Sequence, residues 1–189
     1  MQNVTASFEC GTFYTISGRS GSGKSTLLSL LFAINRPLEG DILYKEQSIL
    51  SLNSDEYRRR SLGIIYQSFY LFPQLNALEN VMLPMEFAGI GIKDGWKERA
   101  AELLNMVGLN EKHAKKHPNQ LSGGEQQCVA IARSLSLDPE VILGDEPTGN
   151  LDSDNSSNII LILQSLAHEQ NKCVIVVTHS SEVYLASDV

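Results

Sequence analysis

Residues 12–26, Thr-Phe-Tyr-Thr-Ile-Ser-Gly-Arg-Ser-Gly-Ser-Gly-Lys-Ser-Thr, decide the fold. The first six are β-branched, aromatic or small and predict a short strand over 12–17. From Gly18 to Ser25 the chain matches G-x-x-x-x-G-K-[ST] in full. Glycines at 18, 21 and 23 let the backbone turn its N–H groups inward, where they can surround a phosphate. Leu27, Leu28, Leu30, Leu31 and Ile34 then recur at the 3–4 spacing of a buried helix face, which predicts a helix over 24–34. A helix in that place aims its positive N-terminal end at the same phosphate. Lys24 can reach the outer phosphates of a nucleotide, and the Ser25 hydroxyl can ligate Mg2+. The expected nucleotide contacts are Gly18, Ser20, Gly21, Ser22, Gly23, Lys24, Ser25 and Thr26. A chance glycine-rich turn would lack both the strand before it and the apolar helix after it.

Further strands are expected at 41–44 (DILY), 63–66 (GIIY), 141–144 (VILG) and 173–177 (CVIVV), with a helix at 153–169. The last strand is an unbroken apolar run, as befits a strand with both faces covered. Alternating strands and helices predict an α/β fold, a P-loop NTPase with a mainly parallel sheet flanked by helices. From 76 to 119 the pattern is helical and more polar, broken at Gly89–Gly91 and Gly108. It reads as a small helical subdomain inserted into the main fold, and helical periodicity resumes over 122–137.

Parallel strands present their C-terminal ends to the ligand. The strand 141–144 runs into Asp145 and Glu146, so Asp145 is expected to hold Mg2+ through water and Glu146 to polarise the attacking water. In isolation, two acids at a strand end are as well explained as solvated loop residues. His179, just beyond the strand 173–177, would project toward the γ-phosphate, although a lone histidine there is more often structural.

The 189 residues fit one domain, and the net charge of −7 argues against a nucleic-acid partner. The basic clusters Arg58–Arg60 and Lys112–His117 read as solvated surface. Three widely spaced cysteines, Cys10, Cys128 and Cys173, form no C-x-x-C pair, which speaks against a disulfide framework or zinc site and for a reducing cytoplasm. The first ten residues lack the pattern of a signal peptide. The longest apolar runs, Ile159–Leu163 and Val174–Val177, are too short to span a bilayer.

Leu121-Ser122-Gly123-Gly124-Glu125-Gln126-Gln127 adds a second motif. Together with GRSGSGKST, Gln67 in IIYQSFYLFP, DEPTGNLD at Asp145–Asp152 and Thr178–His179, it resembles an ABC-type ATPase, and the match runs in order over nearly the whole chain. The wording LFPQLNALENVMLP and DEPTGNLD is similar to the subgroup that powers lipoprotein-releasing, macrolide-exporting and peptide-antibiotic-resistance transporters. The resemblance implies one ABC-type ATPase domain over 1–189, with a core of 1–75 and 120–189 and a helical subdomain of about 76–135 carrying the signature. It implies ATP and Mg2+ as cofactors. Glu146, His179 and Gln67 would act in catalysis, and Ser25, Gln67 and Asp145 at the metal. Ser122 and Gly124 would complete the site of a second copy in an ATP-driven head-to-tail dimer, and Asp152 would help join the two sites. The expected location is the cytoplasm, peripheral on the inner face of the cell membrane through an integral membrane transporter subunit. Taken alone, the SGG run is equally a helix-capping turn.

Three departures from the family pattern carry expectations. The two strands that usually precede the phosphate loop, with an aromatic stacked on adenine, have no match here; Phe8, Phe13 and Tyr14 do not sit at that place. The loss of such stacking, on the order of 1–3 kcal/mol, is expected to weaken ATP binding. The chain also stops soon after His179, so exposed sheet edges are expected. Cys128 stands where the signature helix usually carries arginine. The alternatives are a soluble ABC ATPase, or a truncated, inactive remnant that binds nucleotide weakly.

Overall fold

A computed structural model describes residues 4–19, 21–89 and 95–189. Four parallel strands form the central sheet: β1 (Phe13–Ser17), β4 (Leu62–Tyr66), β5 (Val141–Asp145) and β6 (Cys173–Thr178), in the spatial order β1-β6-β5-β4. Each is five or six residues long; β4, β5 and β6 are rich in Val, Ile and Leu, and β1 carries Phe13, Tyr14, Thr15 and Ile16. On β6, Val174 and Val176 enter one apolar cluster, while Cys173, Ile175 and Val177 enter a second. Likewise on β5, Ile142 belongs to the first and Leu143 to the second. Successive side chains point to opposite faces, so an unbroken apolar run is what a strand covered on both sides requires.

Helix α1 (Lys24–Leu31) covers the second face through Leu28. The other face carries α3 (Ala77–Ala88), α4 (Trp96–Met106), α6 (Gly123–Ser134) and α7 (Ser153–His168). Val81, Leu103, Leu104, Ile131 and Leu163 are all buried in one cluster that is continuous with the sheet face. α6 joins these layers, because it contacts α3, α4, α7 and β4. The short α5 (Glu111–Ala114) packs beside α3 and α4.

Several boundaries differ from expectation. Of residues 41–44, only Leu43–Tyr44 form a strand (β2), paired antiparallel with Gln47–Ser48 (β3) in a hairpin outside the main sheet. α1 stops at Leu31, because Ala33 takes a left-handed φ of 51° and Ile34 is exposed. Two helices were not expected: α2 (Ser54–Ser61), a charged segment burying Tyr57, and α8 (Ser181–Ala186), which buries Val183. Within the first basic cluster, Arg59 and Arg60 are exposed, whereas Arg58 pairs with Asp55 and donates to the Ala33 carbonyl at 2.8 Å. The expected break at Gly91 lies outside the described residues.

The outer edge of β1 is not bare. Thr15 N–H donates to the Val189 carbonyl at 2.8 Å, Asp188 N–H donates to the Phe13 carbonyl at 2.9 Å, and the Asp188 carboxylate accepts from Phe13 N–H at 2.8 Å. Phe13 is fully buried, while Phe8 packs edge-on against Tyr14 with ring centres 5.0 Å apart. No helix among the described residues is long and apolar enough to cross a membrane.

Candidate active site

Strand register brings the expected residues together. Ser17, which ends β1, pairs with Thr178 on β6; Val177 pairs with Asp145 on β5; Asp145 pairs with Tyr66 on β4. The segments that leave these ends begin with Gly18, His179, Glu146 and Gln67. Residues as far apart in sequence as Gly21 and Glu182 thus line one cavity of about 1010 Å3. Gly21, Gly23, Lys24, Ser25, Thr26, Gln67, Asp145, Glu146 and His179 all face it. Ser20 lies outside the described residues.

The loop geometry depends on its glycines. Gly21 and Gly23 have φ values of +79° and +95°, a region that side chains beyond glycine rarely enter. Gly23 is the N-cap of α1 and offers no side chain to its first turn. The first N–H groups of that helix are therefore left for an anion. Lys24 is buried and its ammonium donates to the Gly18 carbonyl at 2.7 Å and the Arg19 carbonyl at 3.1 Å. It also lies 3.2 Å from His179 Nε2. The Ser25 and Thr26 side chains are exposed.

Glu146 has a left-handed φ of +49°, a conformation that persists in a non-glycine residue only when neighbours fix it. Its N–H donates to the Val177 carbonyl at 2.9 Å, and its carbonyl accepts from Gly149 N–H at 3.0 Å. Glu146 Oε2 accepts from the Thr178 hydroxyl at 2.9 Å and from His179 N–H at 3.1 Å. His179 Nε2 lies 3.6 Å from the other carboxylate oxygen. Burial pushes the Asp145 carboxyl above its ordinary value, and the charge of Glu146 adds to this; Lys24 opposes both. Two adjacent half-buried acids with one nearby ammonium make a site that favours additional positive charge.

Gln67 Nε2 donates to Asn150 Oδ1 at 3.2 Å, and Asn150 Nδ2 returns a bond of 3.2 Å to the Gln67 carbonyl. A Cβ on Gly149 would stand 2.8 Å from Gln67 Nε2, so glycine permits this close approach. Neither Asn150 nor Gln127 was among the expected site residues. Gln127 is fully buried on α6, and its Nε2 donates to the carbonyls of Pro147 at 2.7 Å and Tyr66 at 3.2 Å. The only signal for it in the sequence is its place as the last of three polar residues, Glu125-Gln126-Gln127, directly before the apolar run Cys128–Ala132.

Ser122 and Gly124 do not line this cavity. Ser122 caps α6: its hydroxyl accepts from Glu125 N–H at 3.2 Å, and Glu125 Oε2 accepts from Ser122 N–H at 2.6 Å, a capping box. Gly124 is buried, and a Cβ built there would overlap the Asn155 side chain on α7. Cys128 is also buried against α7, with Asn158 Nδ2 at 3.9 Å from its sulfur. Burial pushes its thiol up to about 11.

A glycine-cradled helix N-terminus, a buried lysine and two acids at the ends of parallel strands define a nucleotide-phosphate hydrolase of the P-loop class. A model of the family described as ABC transporter matches residues 1–149. The lipoprotein-releasing system ATP-binding protein LolD 1 of Chlorobium chlorochromatii (strain CaD3) is 44% identical over 180 residues, 94% of this chain and 73% of that protein. The macrolide export ATP-binding/permease protein MacB of Syntrophobacter fumaroxidans (strain DSM 10017 / MPOB) is 41% identical over 187 residues, which is 97% of this chain but 26% of that protein. Among solved structures, a dimeric post-hydrolysis state of the ATP-binding cassette MJ0796 from Methanocaldococcus jannaschii, bound to ADP and Pi, matches with a TM-score of 0.86 and 42% identity, covering 98% of this chain and 82% of that one. The chain belongs to the ABC transporter family, as one of its ATP-binding, ATP-hydrolysing domains.

Proposed function

We propose that this chain drives an export-type transporter by closing on a second copy of itself around ATP, with hydrolysis releasing the pair. The observation that carries this is the meeting of Lys24, Asp145, Glu146 and His179 at the ends of three adjacent strands. The dimeric MJ0796 cassette and the transporter names of LolD and MacB support the partners: a second copy, and an integral membrane subunit.

The residue roles follow from position. The glycine loop and the first turn of α1 surround the phosphates, and phosphate oxygens replace the Gly18 and Arg19 carbonyls as acceptors for Lys24. Glu146 is held by Thr178 and by the backbone of His179, so its carboxylate is fixed before it accepts a hydrogen bond from the attacking water. A preset acceptor avoids reorganisation during the reaction. His179 holds the same water and the γ-phosphate. Ser122 and Gly124 serve the phosphates of the other copy, and residues of about 76–135 act as the helical subdomain that faces the membrane subunit from the cytoplasm.

The residues present fit Mg2+. Ser25 offers an exposed hydroxyl, Asp145 a carboxylate raised by burial, and Gln67 a carboxamide at the same cavity. Among the described residues no group of three or more His, Cys, Asp or Glu could hold a metal. This is the donor set of an ion carried largely by nucleotide phosphates, the usual habit of Mg2+. Bound there, the ion would neutralise charge on the phosphate oxygens.

The test is Glu146→Gln, mixed with Mg-ATP and followed by light scattering. Removal of the carboxylate leaves the fold and phosphate loop intact, so an ATP-dependent dimer is expected. A variant that binds ATP yet stays monomeric overturns the closing mechanism.

A further inference from the structure

We propose that Gln127 is a positioning residue that sets the spacing between Gln67 and Glu146 and couples both to the signature helix. The inference rests on the roles given above to those two residues. Gln127 Nε2 is the only donor group of its side chain, and both its partners are acceptors: the carbonyls of Tyr66 and Pro147. The orientation of the carboxamide is therefore unambiguous. Tyr66 immediately precedes Gln67, and Pro147 immediately follows Glu146. Tyr66 and Asp145 are also the last paired residues of β4 and β5. Beyond them the two segments leave the sheet, and the Gln127 side chain spans the point where they part.

Packing does not account for a glutamine at this place. The residue is fully buried, and its Oε1 has no hydrogen-bond partner among the described residues. A buried polar atom without a partner is unfavourable, so an apolar side chain of the same length would serve the core better. What glutamine supplies is two bonds to the two loops that carry the site. Arg133, further along α6, repeats the pattern by donating to the carbonyls of Tyr70 at 2.6 Å and Phe69 at 2.9 Å. A movement of α6 relative to the sheet thus reaches the Gln67 segment at three carbonyls and the Glu146 segment at one. None of these bonds touches the phosphate loop, so loss of Gln127 acts on turnover and spares binding.

The test uses the full chain. Gln127→Met keeps length and apolar packing and removes both donors. The expected result is a kcat at least tenfold lower, with affinity for a fluorescent ATP analogue within twofold of the unsubstituted chain. Unchanged kcat, or affinity falling in step with turnover, overturns the proposal. A second measurement needs no substitution: the Gln127 side-chain amide protons, assigned by NMR, are expected to exchange slowly and to change frequency when ATP is added. Fast exchange, or no change, overturns it. Glu146→Gln is assayed beside them. If Glu146→Gln keeps turnover, the reading of Glu146 as the catalytic carboxylate fails; if it loses turnover while Gln127→Met does not, the positioning role alone fails.

Discussion

At the scale of single residues, many of the bonds that hold the site run from a side chain to the backbone. Lys24 illustrates the consequence. Its ammonium is satisfied by two carbonyls, so phosphate binding exchanges bonds of similar number, and the gain comes from opposite charge. Hydrogen bonds to charged groups contribute about 1.5–3 kcal/mol. Lys24→Ala should therefore weaken ATP binding about tenfold or more, measured by nucleotide titration, while leaving the thermal midpoint within a few degrees. An affinity unchanged by this substitution would remove Lys24 from the phosphate site. Glu146 shows a different constraint. Its left-handed backbone is fixed by Val177 and Gly149, and the strained turn aims the carboxylate at Thr178 and His179. From the sequence, Asp145 and Glu146 were readable as a pair of acids at a strand end; the turn that separates their directions was not.

At the scale of elements, the N-terminus of α6 answers two separate demands. Within one chain, Ser122 is an N-cap and Gly124 makes room for Asn155. In the proposed dimer the same two residues meet the phosphates of the other copy. Substitution separates these demands. Ser122→Ala loses the cap, about 1 kcal/mol by denaturant unfolding. Ser122→Asp keeps a good cap but places a carboxylate against phosphate, so unfolding stability should stay near that of the parent while ATP-driven association is lost. Association unharmed by Ser122→Asp would show that this serine never meets nucleotide. The helices α1 and α7 were legible because burial on one face imposes a period near 3.6 on their apolar residues, β5 and β6 because burial on both faces demands an unbroken apolar run, and β1 and β4 because short runs of β-branched, aromatic or aliphatic residues stand there. α2 was not, because Ser54–Ser61 is charged and buries little beyond Tyr57. α8 was missed for a related reason: six residues that bury Val183 leave no period to read. The strand order β1-β6-β5-β4 and the contacts of Gln127 and Asn150 arise from packing between distant segments, which local pattern does not encode.

At the scale of the molecule, the buried apolar side chains of the described residues fall into three clusters, and each contains a weak acid held neutral by burial. Cys128 lies in the cluster between the sheet and the helices α3, α4, α6 and α7, Cys173 in the cluster under α1, and Tyr57 in the cluster beside the β2–β3 hairpin. Burial pushes the Cys128 thiol from 9.0 up to about 11, the Cys173 thiol from 9.0 up to about 12 and the Tyr57 hydroxyl from 10.0 up to about 12. All three side chains belong to residues less than 10% exposed, so solvent screens little of this effect. Below about pH 8 the groups are neutral in the folded and unfolded chain alike and exert little pH dependence. Above it the unfolded chain ionises first and binds fewer protons than the fold, so stability falls as pH rises. A tenfold difference in proton affinity between the two states corresponds to about 1.4 kcal/mol, which makes the Cys128 contribution alone roughly 3 kcal/mol, against a domain stability of about 5–15 kcal/mol. The denaturant midpoint, followed by the fluorescence of Trp96, should hold nearly level from pH 7 to about 8 and then drop with growing slope toward pH 11. Cys128→Ala and Cys173→Ala should each flatten part of that drop. Because the clusters share one sheet, loss in any of them should unfold the chain in a single transition; a separate early step in one variant would show that the clusters melt independently.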